Sequence, residues 1–280
     1  MRIGYSTWSM PKLSADDAIG SIAQIGYDSI ELTVIPNWST ELDTLDSAER
    51  KRIRGLLDRN NLQMPAIAGH RTLLADDPAE HAENWRRLTG AIDLCVDWAG
   101  QAGPPALDTT TGGKSGEFEQ IKELMIERVG ELCDYAAEKG VVIAIEPHVG
   151  NALDTPERVL WLLSQVGRPN LKVAFDISHF NVQGIPIETS VTAMAPHSVF
   201  THVKDERGIA PDHEFLIPGE GEFDYVRYLK AMHTAGYTED ICVEISLMVQ
   251  RRENYDAVAA AHQSFDILSA AFREAGVPRS

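Results

Sequence analysis

Thiols are scarce: among 280 residues there are three cysteines, Cys95, Cys133 and Cys242, far apart, in apolar surroundings and with no CxxC pair. That excludes a disulfide framework and a thiolate zinc site, and leaves small reduced core residues. Long apolar runs are missing as well. No stretch approaches the roughly 20 apolar residues that span a bilayer. The opening Met1-Arg-Ile-Gly-Tyr-Ser-Thr7 passes straight into a strand-like pattern, without the basic, apolar and cleavage regions of a leader. Cytoplasmic residence with no membrane partner is therefore expected. Basic charge is short too, with 25 Lys and Arg against 42 Asp and Glu, a net charge of -17 and no Lys/Arg-rich run. Gripping a phosphate backbone needs a basic surface, so nucleic acid is not expected as a ligand. No linker, low-complexity tract or charge block divides the chain, which reads as one domain over residues 1–280.

What recurs instead is a unit of short apolar run, polar loop, amphipathic helix and turn. Strands are expected at residues 2–7, 29–34, 62–69, 105–110, 141–147, 172–178, 199–204 and 240–246. Several are apolar on both faces, as in Val141-Val-Ile-Ala-Ile145, the pattern of a strand covered on both sides of a parallel sheet. The helices between them carry start and stop signals. Ser14 precedes two acids and an apolar face that ends at Gly26; Thr155-Pro156 opens a helix that ends at Gly167. Eight alternating units imply βαβ crossovers closed into an α/β fold, a single-domain (β/α)8 TIM barrel. An open doubly wound sheet would place a glycine-rich phosphate turn after the first strand, where Thr7-Trp-Ser-Met-Pro11 stands.

A barrel of this kind keeps its site at the C-terminal ends of the strands. Strand five ends Ile145-Glu146-Pro147-His148, strand six Phe175-Asp176-Ile177-Ser178-His179, strand seven Thr201-His202-Val203-Lys204, and strand eight Val243-Glu244-Ile245. A charge placed directly after apolar residues costs several kcal/mol unless paired, so each of these groups needs a cation or a hydrogen-bond partner. A single such group reads as a strand end bonded to a loop; four converging ones read as ligands of one divalent metal ion. Three carboxylates and an imidazole, Glu146, Asp176, Glu244 and His202, form a hard donor set suited to Mn, Mg or Co, with Zn also tolerated.

At these strand ends the sequence resembles the xylose isomerase-like TIM barrel superfamily of sugar isomerases and epimerases, which also contains the endonuclease IV repair enzymes. The likeness runs through Ser29-Ile-Glu-Leu32, Glu146-Pro-His148, Asp176-Ile-Ser-His179, His202-Val-Lys-Asp205, Pro218-Gly-Glu-Gly221 and Val243-Glu-Ile245. The resemblance implies metal-ligand roles for Glu146, Asp176, His202 and Glu244. It implies substrate contact for His179, and for Arg207 at a spacing one residue shorter than in ketose 3-epimerases. The glutamate those epimerases carry after the strand-five ligand is replaced by Asn151-Ala-Leu153, and the strand-four histidine of the repair branch by Asp108.

The chemistry so implied is proton abstraction beside a carbonyl of a sugar or sugar acid, with Glu146 and Glu244 as base and acid. The alternative is a lyase or dehydratase acting on a keto-sugar or inositol derivative, with His148, His179, Lys204 or His70 facing the leaving group. A repair hydrolase and a non-catalytic binding barrel are the remaining readings. Trp8 and Trp38, after strands one and two, suit the C–H face of a sugar, and Glu31, Asn37 and Asp108 are candidates for its hydroxyls. Lys114, Arg251 and Arg252 are the anion candidates, and an unphosphorylated substrate is preferred. A homodimer or homotetramer fits the resembled family.

Overall fold

The computed structural model describes residues 1–280. Eight parallel strands close into a barrel: β1 (Arg2–Ser6), β2 (Ser29–Thr33), β3 (Ala66–Ala68), β4 (Ala106–Thr109), β5 (Ile143–Ile145), β6 (Leu171–Asp176), β7 (Ser198–Val203) and, after an excursion, β10 (Asp240–Val243), which pairs with β1. The excursion is an antiparallel hairpin, β8 (Asp205–Arg207) with β9 (Glu214–Leu216). The single-domain barrel expected from the sequence is the fold observed. No helix is long and apolar enough to cross a membrane.

The expected helix signals act as caps. Ser14 Oγ accepts from the Asp17 amide at the start of α1 (Ala15–Ile25), which stops at Gly26 in the left-handed region. Thr155 does the same for the helix Pro156–Val166, which stops at Gly167. Every strand stops short of its expected C-terminal limit, and β3, β4 and β5 also begin late. Residues 62–65 are not part of β3: Gln63 makes an isolated bridge to Ser29, but Pro65 has no N–H to give the ladder, and the continuous strand begins at Ala66. Strand six stops at Asp176, since its carboxylate accepts from the Ser178 amide and hydroxyl at 2.9 and 2.6 Å and turns Ile177–Asn181 into a short helix.

Side-chain alternation along the strands sorts residues between two environments. Ile3, Tyr5, Ile30, Leu32, Val173 and Phe175 belong to the large core of 68 buried residues that joins sheet to helices. The other set points inward. Ala66, Ala106, Ala144, Ala174, Cys242 and Phe200 form a separate apolar cluster, in which one large ring fills the space that four alanines leave. Gly4 completes it, for a Cβ there would lie 2.6 Å from Ser29 Oγ and 3.4 Å from the Cys242 Cβ. Two residues further along the same strands come Ser6, Glu31, Ala68, Asp108, Glu146, Asp176, His202 and Glu244. That second interior layer is the floor of the site.

Candidate functional site

The register aligns the second layer: Ser6 pairs with Glu31, Ala68 with Asp108, and Asp176 with His202. Ligand-type atoms of Glu146, Asp176, His202 and Glu244 lie within 4.8 Å of one another, all four residues buried. His202 stands between two carboxylates, with Nδ1 2.8 Å from Glu146 Oε1 and Nε2 3.0 Å from Glu31 Oε2. Its ring rests edge-on against Phe200 of the layer below, centroids 4.9 Å apart. Ser6 Oγ donates to Glu31 Oε2 at 2.5 Å. The Lys204 ammonium bridges Asp176 Oδ2 at 2.8 Å and Glu244 Oε2 at 2.5 Å, so it partners the candidate ligands; Asp205 takes no part in that contact.

Charge explains the protonation tendencies. Burial opposes ionisation of Asp176, but the Lys204 ammonium, aided by His179, holds its carboxyl down at about 2. Burial likewise works against Glu146, yet His148 and His202 outweigh it and hold that carboxyl well below the usual range. Asp108 goes the other way: burial, then Glu146 and Glu31, push it well above the ordinary carboxylate value. Burial alone would lower His202, whereas the carboxylates of Glu31 and Glu244 raise it well above. His179 is lowered by burial and by neighbouring His148, whose ring stacks on it at 4.0 Å.

Five acidic side chains, Glu31, Asp108, Glu146, Asp176 and Glu244, thus share one buried end of the barrel with a single ammonium and His202. Both oxygens of Asp108 and Oε1 of Glu31 are buried without a hydrogen-bond donor. Orphaned acceptors in such a cluster fit an additional positive charge. The donor set at its centre, three carboxylates and an imidazole, suits a divalent cation.

Above the floor opens a cavity of about 550 Å³, lined by Glu146, Glu244, Lys204, His70, His148 and His179 and rimmed by Trp8, Phe215 and Arg251. His148 Nε2 lies 2.7 Å from Glu146 Oε2, and His70 Nε2 lies 3.9 Å from both Asp108 and Glu146. Trp38 does not line the cavity; it stacks on Trp8 at 5.0 Å and donates Nε1–H to the Thr7 carbonyl. Arg207 does not line the cavity. It sits exposed on β8 and pairs with Glu214 at 2.6 Å, because the hairpin turns it outward. The glycine loop Pro218-Gly-Glu-Gly221 is spent internally: the Gly219, Gly221 and Phe223 amides donate to the Asp205 carboxylate at 2.8, 3.0 and 3.0 Å. A Cβ at Gly221 would press on Asp205 Oδ1, which is why a glycine stands there. Lys114 is exposed on its loop and Arg252 pairs with Glu220, so of the anion candidates Arg251 alone reaches the cavity rim.

Sequence reasoning placed Glu31 and Asp108 among hydroxyl binders, but both are fully buried beneath the cavity. Their signal, a charge directly after an apolar residue in Ile30-Glu31 and Leu107-Asp108, is the one that picked out the other four. His213 and Phe215 of the hairpin also line the cavity, and Phe215 packs edge-on against His179 at 5.0 Å.

Residues 19–266 match the model of the xylose isomerase-like TIM barrel family. Among curated relatives, an inosose isomerase of Bacillus velezensis is 31% identical over 133 residues, 45% of this chain and 48% of its own length. The chain thus spans about half the length of that relative. An L-ribulose 3-epimerase of Methylomonas sp. is 26% identical over 238 residues, 82% of this chain and 78% of its own. Among solved structures, the IOLI protein with a binding zinc atom superposes with a TM-score of 0.78 at 20% identity, covering 97% of this chain and 99% of that one.

Proposed function

This chain belongs to the xylose isomerase-like TIM barrel family, and we propose that it is a divalent-metal-dependent isomerase or epimerase of an unphosphorylated sugar or sugar acid. One observation carries the reading: Glu146, Asp176, His202 and Glu244 converge at one barrel end, and of these four Glu146 and Glu244 also line the cavity. That double position supports a reading in which these two both hold a cation and touch a substrate. The isomerase and 3-epimerase names of the relatives support the same chemistry.

A divalent cation on the four side chains, Mn, Mg or Co by donor hardness, would draw electron density from a substrate carbonyl and stabilise the charge left when the adjacent carbon loses its proton. Glu146 follows β5 and Glu244 follows β10, with β6 and β7 between them around the barrel. The two carboxylates therefore approach a bound carbon from different sides. One removes the proton and the other returns it. His148, bonded to Glu146, gives that carboxylate an exchange partner for the proton. Lys204, held by Asp176 and Glu244, and His179, whose ring nitrogens make no hydrogen bond within the protein, would donate to substrate oxygens. Trp8, backed by Trp38, offers an apolar face at the rim.

The test is incubation of metal-reconstituted protein with ketoses, aldoses, keto-acids and inosose in deuterated water. Deuterium should enter beside the carbonyl in a product of otherwise unchanged formula, and should be absent with Glu146→Gln and Glu244→Gln. Loss of water or another fragment would move the assignment to a lyase. Turnover that survives complete metal removal would remove the metal from the mechanism.

A further inference from the structure

Glu31 is fully buried and absent from the cavity lining, so it contacts no substrate; its carboxylate faces the far nitrogen of His202. The two imidazole nitrogens are divided between two groups of acids. Nδ1 lies toward Glu146, 2.8 Å away, on the side of the four converging side chains; Nε2 lies toward Glu31 at 3.0 Å. Ser6 fixes the Glu31 oxygen from behind, donating to the same Oε2 that meets His202. The three residues stand on β1, β2 and β7, and Ser6 is in register with Glu31, so the chain of contacts is built into the barrel.

We propose that Glu31 is a positioning residue for the metal centre: it accepts the Nε2–H of His202, leaves the Nδ1 lone pair to the cation, and is itself aimed by Ser6. This rests on the metal-dependent reading above. The physical reason is that a ligating imidazole offers one lone pair, and whichever nitrogen carries the proton is excluded from binding. A carboxylate on the other nitrogen settles that choice, fixes the ring plane and raises the basicity of the ligating atom. A partner with that job needs no route to the cavity, which accounts for a buried carboxylate whose hydrogen-bond partners are His202 and Ser6. The competing placement is Glu31 as a direct ligand of a second ion, shared with Asp108 and His202, whose ligand-type atoms also lie within 4.8 Å of one another.

The experiment is calorimetric titration of chelator-stripped wild type, Glu31→Gln and Ser6→Ala with Mn2+ and Co2+. The Co2+ absorption spectrum and the metal-free melting temperature are recorded alongside. Glu31→Gln is expected to weaken binding by about 10- to 100-fold at unchanged stoichiometry and to shift the Co2+ bands. Ser6→Ala, which keeps the carboxylate, should weaken binding in the same direction by a smaller factor, and neither variant should lower the metal-free melting temperature. Equal affinities and spectra in all three proteins would overturn the proposal. So would a fall from two bound ions to one in Glu31→Gln, which would make Glu31 a ligand. A loss of affinity that merely tracks a lower metal-free melting temperature would reduce Glu31 to a structural role. A wild type that binds no metal at all is a separate result, and it sinks the metal reading itself.

Discussion

The two interior layers of this barrel come from the same strands, two residues apart, yet their compositions are opposed. The lower one is Gly4, Ala66, Ala106, Ala144, Ala174, Cys242 and the ring of Phe200. The upper one holds Glu31, Asp108, Glu146, Asp176, His202 and Glu244. Both are dry. The lower layer gains from burial and needs only volume matched to volume. The upper layer gathers buried acids, and burial, then the neighbouring carboxylates of Glu146 and Glu31, pushes the Asp108 carboxyl up. What the contrast teaches is that packing outside and beneath secures the barrel, and so permits a layer that packing alone would not select.

Substitutions should separate the two layers. The largest effect belongs to the upper one. Glu146→Gln and Glu244→Gln should each cut turnover by about 10²- to 10⁴-fold, with the circular dichroism of the folded barrel retained. A variant that kept activity would remove that glutamate from the proton path. Phe200→Ala is the matching break below. It opens a void among alanines that cannot collapse onto it, and should cost roughly 3–5 kcal/mol in denaturant unfolding. Folded Phe200→Ala should still bind metal. Loss of metal binding without loss of stability would show that the layers are not separable, since the Phe200 ring also abuts His202.

The same contrast governs what could be read from the sequence. The outer face of each strand is a run of large apolar residues, and that periodicity gave away eight strands and the barrel. Glu146, Asp176, His202 and Glu244 were visible because each breaks such a run at its C-terminal end, where a barrel keeps its site. Glu31 breaks its run equally, between Ile30 and Leu32, but its partner His202 lies 171 positions away. That contact exists through closure of the barrel, which puts β2 and β7 across one interior, and no local pattern encodes it. The hairpin was missed for a different reason: β8 and β9 have three residues each, too few for an alternation to register.

Glu206, on that hairpin, extends the comparison to a buried charge outside the candidate ligand set. Burial pushes its carboxyl up to about 8, although the Asn181 amide donates to it at 2.9 Å. Unfolded, it returns to the ordinary glutamate value of about 4.5. The neutral form is therefore favoured on folding, and the stability it supports is complete below pH 4.5 and is lost as pH rises through about 8. Glu206→Gln removes that dependence. Relative to wild type it should gain on the order of a few kcal/mol between pH 5 and pH 9, measured by urea unfolding at each pH. A constant difference across that range would mean that Glu206 is ionised in the folded protein throughout.

The smallest effect should come from Arg207. Its resemblance to a substrate-binding arginine predicted contact with hydroxyls, but the hairpin carries it outward to Glu214, with both side chains more than half exposed. An exposed pair of this kind contributes about 0–1 kcal/mol, because water screens it and two long side chains lose freedom to make it. Arg207→Ala should therefore leave KM and kcat within about twofold, and shift unfolding by less than about 1 kcal/mol. Arg251→Ala is the control, since Arg251 does stand at the cavity rim. A large rise in KM for Arg207→Ala would mean that the hairpin rearranges around substrate and brings the guanidinium inward, and the outward pair with Glu214 would then describe only the ligand-free protein.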